Sequence, residues 1–305
     1  MRIVGVILLL LVCSPARAQD DVSSTRALGM ADALRAAGVG SAGIHLNPSG
    51  LTLLHSYTVE GAFEFGGADG ARNVDVSIAD STNPVVAAGV YFDYLTADAR
   101  DASHTKVGDR NGWEAGLALA APIGDWLSLG LTPKYMSITQ PACSTGALQC
   151  GKADGFTLDA GMTARPVGFL NVGVVGANLV EMDSTHAPRN LGIGVALNPI
   201  GALLVEFDTV FDFDTSRLLY GAMRDQTTER YQFGGEYLLA QKIALRGGYI
   251  WDGATLPSSG FVTYGASVVT PQIALDFGGR TQVDGPGGTD TFFGVSLRMF
   301  LPHIQ

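Results

Sequence analysis

The sequence is poor in three things that most globular proteins use freely: charge, cysteine and histidine. Only 16% of its 305 residues are charged, and it has 3 cysteines and 5 histidines. The histidines are scattered and form no recognisable triad or metal-ligand spacing: His45, His55, His104, His186 and His303. The sequence therefore predicts no enzyme, no cofactor and no metal site.

Long apolar runs are also missing after residue 18. A helix that crosses a bilayer needs about 18 or more consecutive apolar residues, and the rest of the chain contains no such run. The first 18 residues have a charged start at Arg2, a short apolar run and Ala16-Arg17-Ala18 before Gln19. This layout is typical of a cleavable secretory signal, so we expect residues 1–18 to be removed on export.

Positive charge is scarce in the mature chain. Removing the signal takes away Arg2 and Arg17 but no acidic residue, so 17 of the 19 basic residues face 29 acidic ones, a net charge of −12. Such a balance repels nucleic acid, which we exclude as a partner.

Two cysteines remain after export, Cys143 and Cys150, in a Gly- and Ser-containing link. Nearby histidines that would complete a metal site are absent, and a redox pair would normally have the spacing C-x-x-C. In an exported protein this pair predicts a disulfide.

From about His55 the chain alternates apolar and non-apolar residues in runs of about 10 to 12, the period of a strand with two different faces. In the clearest run, Val205, Phe207 and Phe211 alternate with Glu206 and Asp208. We expect the apolar face to contact lipid and the acidic face to line a lumen. Aromatic residues near the run ends predict interfacial girdles: Tyr91, Tyr94, Trp113, Trp126, Tyr135, Tyr249 and Trp251.

The links between runs alternate in length. Short links are predicted at 80–84, 122–125, 166–168, 198–201, 240–242 and 270–272, and longer polar links at 97–111, 140–154, 180–188, 215–228, 252–258 and 281–288. This asymmetry is typical of an all-β, antiparallel, up-and-down transmembrane barrel, with tight turns at one end and long loops at the other. The runs number about 14, an even number as closure requires. We therefore predict a barrel over residues 55–305.

Residues 19–54 do not follow the strand period. They are rich in Ala and Gly, carry a weak signal for a short helix, and are too few to form a stable domain alone. We expect them to fold into the barrel lumen as a short helical and irregular plug.

This segment carries a resemblance to a known family. Arg26-Ala27-Leu28-Gly29-Met30-Ala31-Asp32-Ala33, followed by Ile44-His45-Leu46-Asn47-Pro48-Ser49-Gly50-Leu51, resembles the N-terminus of the long-chain fatty-acid transporter (FadL-like) superfamily of outer-membrane barrels. Members typically have Asn-Pro-Ala-Gly-Leu before strand one, and here Ser49 replaces the Ala. The resemblance implies 14 strands and an N-terminal plug in the outer membrane of a Gram-negative cell.

The candidate site residues fall into two sets. Asn47, Pro48, Ser49 and Gly50 favour a tight turn that directs the chain into strand one, with ligand contact as the alternative. The second set holds the charges expected to face the lumen, either pairing with one another or serving passage: Glu60, Glu114, Lys134, Arg165, Glu206, Asp208, Arg246 and Arg298.

Two functions remain open from the sequence. The first is passive transport of small hydrophobic or amphipathic molecules through a plugged barrel. The alternative is a non-conducting scaffold or shuttle for exported proteins, a role that shorter relatives of the superfamily have in secretion. In both cases lipid surrounds the protein, and its other partner is a small hydrophobic ligand or an exported protein.

Overall fold

A computed structural model shows a closed barrel of 14 antiparallel strands, in which each strand pairs with its neighbours in sequence and β1 pairs with β14. The structure describes residues 24–67, 69–100, 106–140, 151–182, 187–219, 222–253, 258–285 and 290–301. Within these ranges no helix is long and apolar enough to span a membrane. The prediction of a 14-stranded up-and-down barrel is confirmed, while the predicted signal at residues 1–18 lies outside the described residues.

Three short helices precede the strands: α1 (Thr25–Gly29), α2 (Ser41–Leu46) and a 3-10 helix (Pro48–Leu53). The strands are β1 (Tyr57–Gly66), β2 (Ala71–Asp80), β3 (Ala87–Arg100), β4 (Lys106–Ile123), β5 (Leu127–Gln140), β6 (Gly151–Val167), β7 (Leu170–Ala177), β8 (Asn190–Ile200), β9 (Leu203–Leu219), β10 (Ala222–Leu239), β11 (Ile243–Asp252), β12 (Ser259–Val269), β13 (Ile273–Asp284) and β14 (Thr291–Leu301).

The barrel wall has the reverse of the polarity of a soluble protein, because its buried inner face is polar and its exposed outer face is apolar. Glu206 and Asp208 on β9 are fully buried, whereas Phe207 between them is 46% exposed. The same alternation occurs on β1, where Glu60 and Glu64 are buried and large apolar side chains point outward. An apolar outer surface suits contact with lipid, and a polar interior can hold water or a plug. Closure of the barrel also leaves no strand edge open to lipid.

Aromatic side chains form bands on the outer surface. Trp113 stacks on Phe92 and Tyr135 with ring centroids 6.2 and 5.4 Å apart, and this band continues to Phe156. The prediction that Tyr91 belongs to such a girdle is wrong. It is buried on the inner face, because its parity in β3 places it opposite to its outward-facing neighbour Phe92.

The links differ from the prediction at two places. The expected loops at 97–111 and 215–228 are largely strand, because β3 and β4 leave only residues 101–105 between them, and β9 and β10 leave only 220–221. These segments lack apolar alternation, so the sequence indicated loops. Backbone hydrogen bonds between two antiparallel strands do not depend on an apolar face, so the strand pairing continues through these segments.

Residues 24–54, which we term the N-terminal segment, lie against the inner face of the wall. Helix α1 contacts β11 to β14, and the 3-10 helix contacts β3 to β6. The segment has a small apolar cluster of its own that includes Met30, Leu34 and Leu46. Helices of 5 or 6 residues are not stable alone in water, so these contacts with the wall hold them in place. Helix α2 and the 3-10 helix were not predicted from the sequence.

Candidate functional site

Asn47 is the centre of the joint between the N-terminal segment and the barrel. Its side-chain amide donates to the backbone oxygen of Arg35 at 2.7 Å and to Thr163 Oγ1 on β6 at 3.2 Å. Its Oδ1 accepts from the backbone N–H and the hydroxyl of Ser49, at 3.2 and 2.7 Å. Pro48 lies at the first position of the 3-10 helix, where no N–H is needed. The buried motif thus contacts both the N-terminal segment, at Arg35, and the barrel wall, at Thr163.

Gly50 and two wall glycines permit this joint. A Cβ on Gly50 would overlap the backbone oxygen of Gly38, and a Cβ on Gly161 would overlap Asn47 Oδ1. On β5, a Cβ on Gly130 would overlap the Ser49 backbone nitrogen. At Gly50 and Gly130 backbone therefore packs directly on backbone, and at Gly161 the Asn47 side chain packs directly on the wall backbone, which only glycine allows.

A chain of alternating charges connects the N-terminal segment with five strands. The Arg26 guanidinium binds Glu236 through two hydrogen bonds of 3.0 and 2.8 Å, and Arg246 Nε binds the same carboxylate at 2.6 Å. The chain continues from Arg246 to Asp276 at 2.9 Å, from Asp276 to Arg298 at 3.4 Å, and from Arg298 to Glu60 at 2.9 Å. Three cations face three anions, so the chain is neutral.

Burial would lower the pKa of the Arg26 guanidinium, but the carboxylate of Glu236 more than offsets this and raises the pKa above its usual value. Arg26 therefore stays charged. Breaking a buried pair of this kind leaves an uncompensated charge, which is strongly destabilising. The contact fixes α1 to the wall.

Arg35 makes a second connection. Its backbone N–H and its Nη1 both donate to Asp208 Oδ2, at 3.1 and 3.3 Å, and Nη1 also donates to Gln232 Oε1 at 2.7 Å. The backbone N–H of Ala36 donates to Glu206. The acidic face of β9, singled out in the sequence, thus binds the N-terminal segment.

Lys134 on β5 lies between two carboxylates. Its Nζ is 2.9 Å from Asp159 Oδ2 and 3.5 Å from Glu114 Oε1. The Tyr91 hydroxyl donates to Glu114, and the Asn178 backbone N–H donates to Asp159 Oδ1 at 2.8 Å. Glu114 and Lys134 were candidate lumen charges, and the structure brings them together.

One charged candidate, Arg165, is not part of these networks. Arg165 is exposed near the turn between β6 and β7, where its backbone N–H donates to the Trp126 oxygen at 2.6 Å. Cys143 and Cys150 lie outside the described residues.

A cluster around His45 was not predicted from the sequence. His45 Nε2 on α2 lies 3.2 Å from Asp75 Oδ2 on β2, and its Nδ1 lies 3.7 Å from Asp93 Oδ2 on β3. The three residues are far apart in the chain, so only the closed barrel brings them together. The alternation of β2 and β3 predicts that Asp75 and Asp93 point inward, but it does not indicate that His45 is their partner.

A cavity of about 40 Å³ lies beside this cluster. Its lining is mostly polar and includes Arg35, His45, Asp93, Glu114, Lys134 and Asp159. A dry cavity that binds benzene has a volume on the order of 150 Å³. The cavity therefore accommodates water or a small ion, whereas a hydrocarbon does not fit in this arrangement.

No protein-family model matches the sequence, and no curated protein does. Solved structures resemble the barrel closely. A structure described as the CymD monoaromatic hydrocarbon channel has a TM-score of 0.73 at 13% identity and covers 94% of this chain and 100% of its own.

Two further structures cover 93% of this chain and 99% of their own. They are a FadL homologue of Pseudomonas aeruginosa (TM-score 0.68, 11% identity) and the toluene transporter TodX of Pseudomonas putida (TM-score 0.69, 10% identity). The chain thus has the fold of the FadL-like outer-membrane barrels, the superfamily that its N-terminal motif resembles.

Proposed function

We propose that the protein is an outer-membrane channel for small hydrophobic or amphipathic molecules, exported through its signal at residues 1–18, with the N-terminal segment acting as a plug. The observation that carries the proposal is the attachment of residues 24–54 to the inner face of a barrel that has the fold of hydrocarbon channels. Passage follows the concentration gradient, so the transport is passive.

The arrangement described above corresponds to the closed state. Ion pairs occupy the interior from Glu60 to Arg26, and the polar cavity beside His45 is smaller than a benzene ring requires. In the proposed mechanism a hydrophobic molecule passes when the plug moves away from part of the wall. The contacts of Arg26 and Arg35 are among those exchanged in this step, because they join the plug to β10 and β9.

Transport is favoured over the scaffold alternative by the nature of these contacts. A scaffold that never conducts needs only a filled lumen. Here the plug is bound by separate charged contacts, and at one of them the wall carboxylate has a second cation, because Glu236 keeps Arg246 when Arg26 leaves.

The test is uptake by cells that lack the gene and carry either the wild-type chain or an empty vector. Labelled toluene and a medium-chain fatty acid are the probes, and glucose is the hydrophilic control. We expect the wild-type chain to accelerate uptake of at least one hydrophobic probe and to leave glucose uptake unchanged. Equal rates for both hydrophobic probes with and without the protein would overturn the proposal.

A second measurement examines the plug. Removing residues 19–43 should open the barrel to small hydrophilic solutes in planar bilayers or abolish uptake of the hydrophobic probe. A truncated barrel that folds, stays closed and keeps wild-type uptake would show that the segment is not a plug.

A further inference from the structure

His45, Asp75 and Asp93 come from three different elements and converge on the inner face of the barrel. One ligand atom from each lies within 4.8 Å of the others. The side chains are 4%, 2% and 7% exposed, respectively. Two carboxylates and one imidazole therefore share a small, largely buried volume.

One atom of this cluster has no partner. Asp93 Oδ1 is buried and forms no hydrogen bond, although Asp93 lines the polar cavity together with His45. Lys134, which also lines the cavity, binds Glu114 and Asp159. A buried carboxylate oxygen without a partner is costly, and a bound cation would remove that cost.

The donor set is that of a divalent transition metal. One imidazole nitrogen and two carboxylate oxygens are ligands that Zn²⁺ accepts, with a water in the fourth position. Two ligands of a tetrahedral ion, each about 2.1 Å from it, are about 3.4 Å apart. Asp75 Oδ2 lies 3.2 Å from His45 Nε2, a hydrogen-bond distance that is also close to this spacing. Asp93 Oδ2 lies 3.7 Å from the other ring nitrogen, Nδ1, so the Asp93 carboxylate would turn toward Nε2 to complete the ligand set. The adjacent cavity has room for the water.

Neighbouring side chains already orient two of the ligands. Ser41 Oγ lies 3.5 Å from Asp75 Oδ1, the oxygen that does not face His45. The Tyr91 ring packs edge-on against the imidazole with centroids 4.5 Å apart, and its hydroxyl is held by Glu114. Such outer contacts are typical of metal sites, where they fix the direction of the ligands.

We propose that His45, Asp75 and Asp93 bind one divalent transition-metal cation, with Zn²⁺ as the best-matched ion. The ion would join α2 to β2 and β3 and so fasten the middle of the N-terminal segment to the wall. This inference does not rest on the proposed transport. A metal-free arrangement, in which a protonated His45 bridges the two carboxylates, is the competing outcome of the test.

The experiment uses the full mature chain, folded in detergent and stripped of metal with a chelator. Zn²⁺ is titrated by calorimetry, and Co²⁺ serves as a spectroscopic substitute whose visible bands report nitrogen and oxygen ligands. We expect one ion per chain and slower proteolysis of the N-terminal segment when Zn²⁺ is bound. Binding well below one ion per chain would overturn the proposal without recourse to any variant.

His45→Gln and Asp93→Asn are the test variants, and His55→Gln is the matched control because His55 is exposed outside the cluster. Loss of a ligand should weaken binding by more than the roughly 10- to 100-fold that loss of an outer contact produces. His55→Gln should bind like the wild type. Folding of each variant is checked by its heat-modifiable mobility on gels. If one of the two test variants does not fold, the other still tests the site. Undiminished stoichiometric binding in a folded His45→Gln or Asp93→Asn chain would place the ion elsewhere and refute the assignment.

Discussion

Arg26 and Glu236 are 210 residues apart in the chain, yet they form a two-point ion pair, with Nε to Oε2 at 3.0 Å and Nη2 to Oε1 at 2.8 Å. Glu236 Oε2 also accepts from Arg246 at 2.6 Å. One wall carboxylate therefore serves a cation of the N-terminal segment and a cation of the wall at once. The segment is bound through the same charges that order the interior.

Arg26→Gln should loosen α1 while leaving the wall intact. Glu236 keeps Arg246, so the loss should be smaller than the roughly 3 to 5 kcal/mol that accompanies a broken buried pair. We expect faster proteolysis of residues 24–54 and more frequent openings in planar bilayers. Arg230→Gln is the control, since it breaks the pair of Arg230 with Asp212 within the wall. Equal protease sensitivity of the two variants would contradict this role of Arg26.

Phe207→Arg should destabilise the barrel by about 2 to 4 kcal/mol, the effect of placing a charge on the lipid face near the bilayer centre. Phe207 is 46% exposed on β9. Urea unfolding of the barrel in lipid vesicles gives the free energy. Phe207→Leu is the control for the lost ring contact, because the Phe207 ring stacks on the Tyr231 ring with centroids 6.4 Å apart. Similar unfolding free energies for Phe207→Arg and Phe207→Leu would mean that Phe207 does not contact lipid.

Gly161→Ala should displace the Asn47 turn, because the added methyl would overlap Asn47 Oδ1. Overpacking of this kind typically costs about 1 to 3 kcal/mol. Gly61→Ala is the matched control, as a Cβ there meets nothing within 4 Å. Thermal unfolding should separate the two variants, with Gly161→Ala the less stable. Wild-type stability and protease resistance in Gly161→Ala would show that Asn47 does not lie against β6.

Cys143 and Cys150, outside the described residues, remain a sequence prediction. We expect them to form a disulfide, because both cysteines lie in one link between strands and an exported protein is in an oxidising compartment. A maleimide reagent should label neither on intact cells and both after reduction. Labelling of either cysteine without reductant would refute the disulfide.

The wall could be predicted from the sequence because its signal is local. Alternation of Phe207 with Glu206 and Asp208 is visible within one strand, and it fixes which face is buried. Tyr91 shows the limit of such reasoning: an aromatic residue near a strand end fits a girdle, but only its parity relative to Phe92 shows that it points inward.

The partners within the interior could not be predicted. Arg35 meets Asp208, and His45 meets Asp75 and Asp93, across distances that depend on barrel closure and on the path of the N-terminal segment. Nothing in the spacing of these residues indicates which carboxylate each cation meets. The Asn47-Pro48-Ser49-Gly50 motif was expected to form a tight turn, and in the structure Asn47 caps the 3-10 helix that Pro48 begins. The attachment of Asn47 to Thr163 could not be predicted.

The order of the chain and the order of its contacts run in opposite directions. Helix α1 is synthesised first among the described elements, yet it contacts β11 to β14, which are synthesised last. Contacts with such large separation in sequence form only after the intervening chain has been arranged. During assembly α1 therefore has no complete binding surface until β13 and β14 have formed. Closure of the barrel by β1 and β14 and the docking of α1 would then be completed in the same late step.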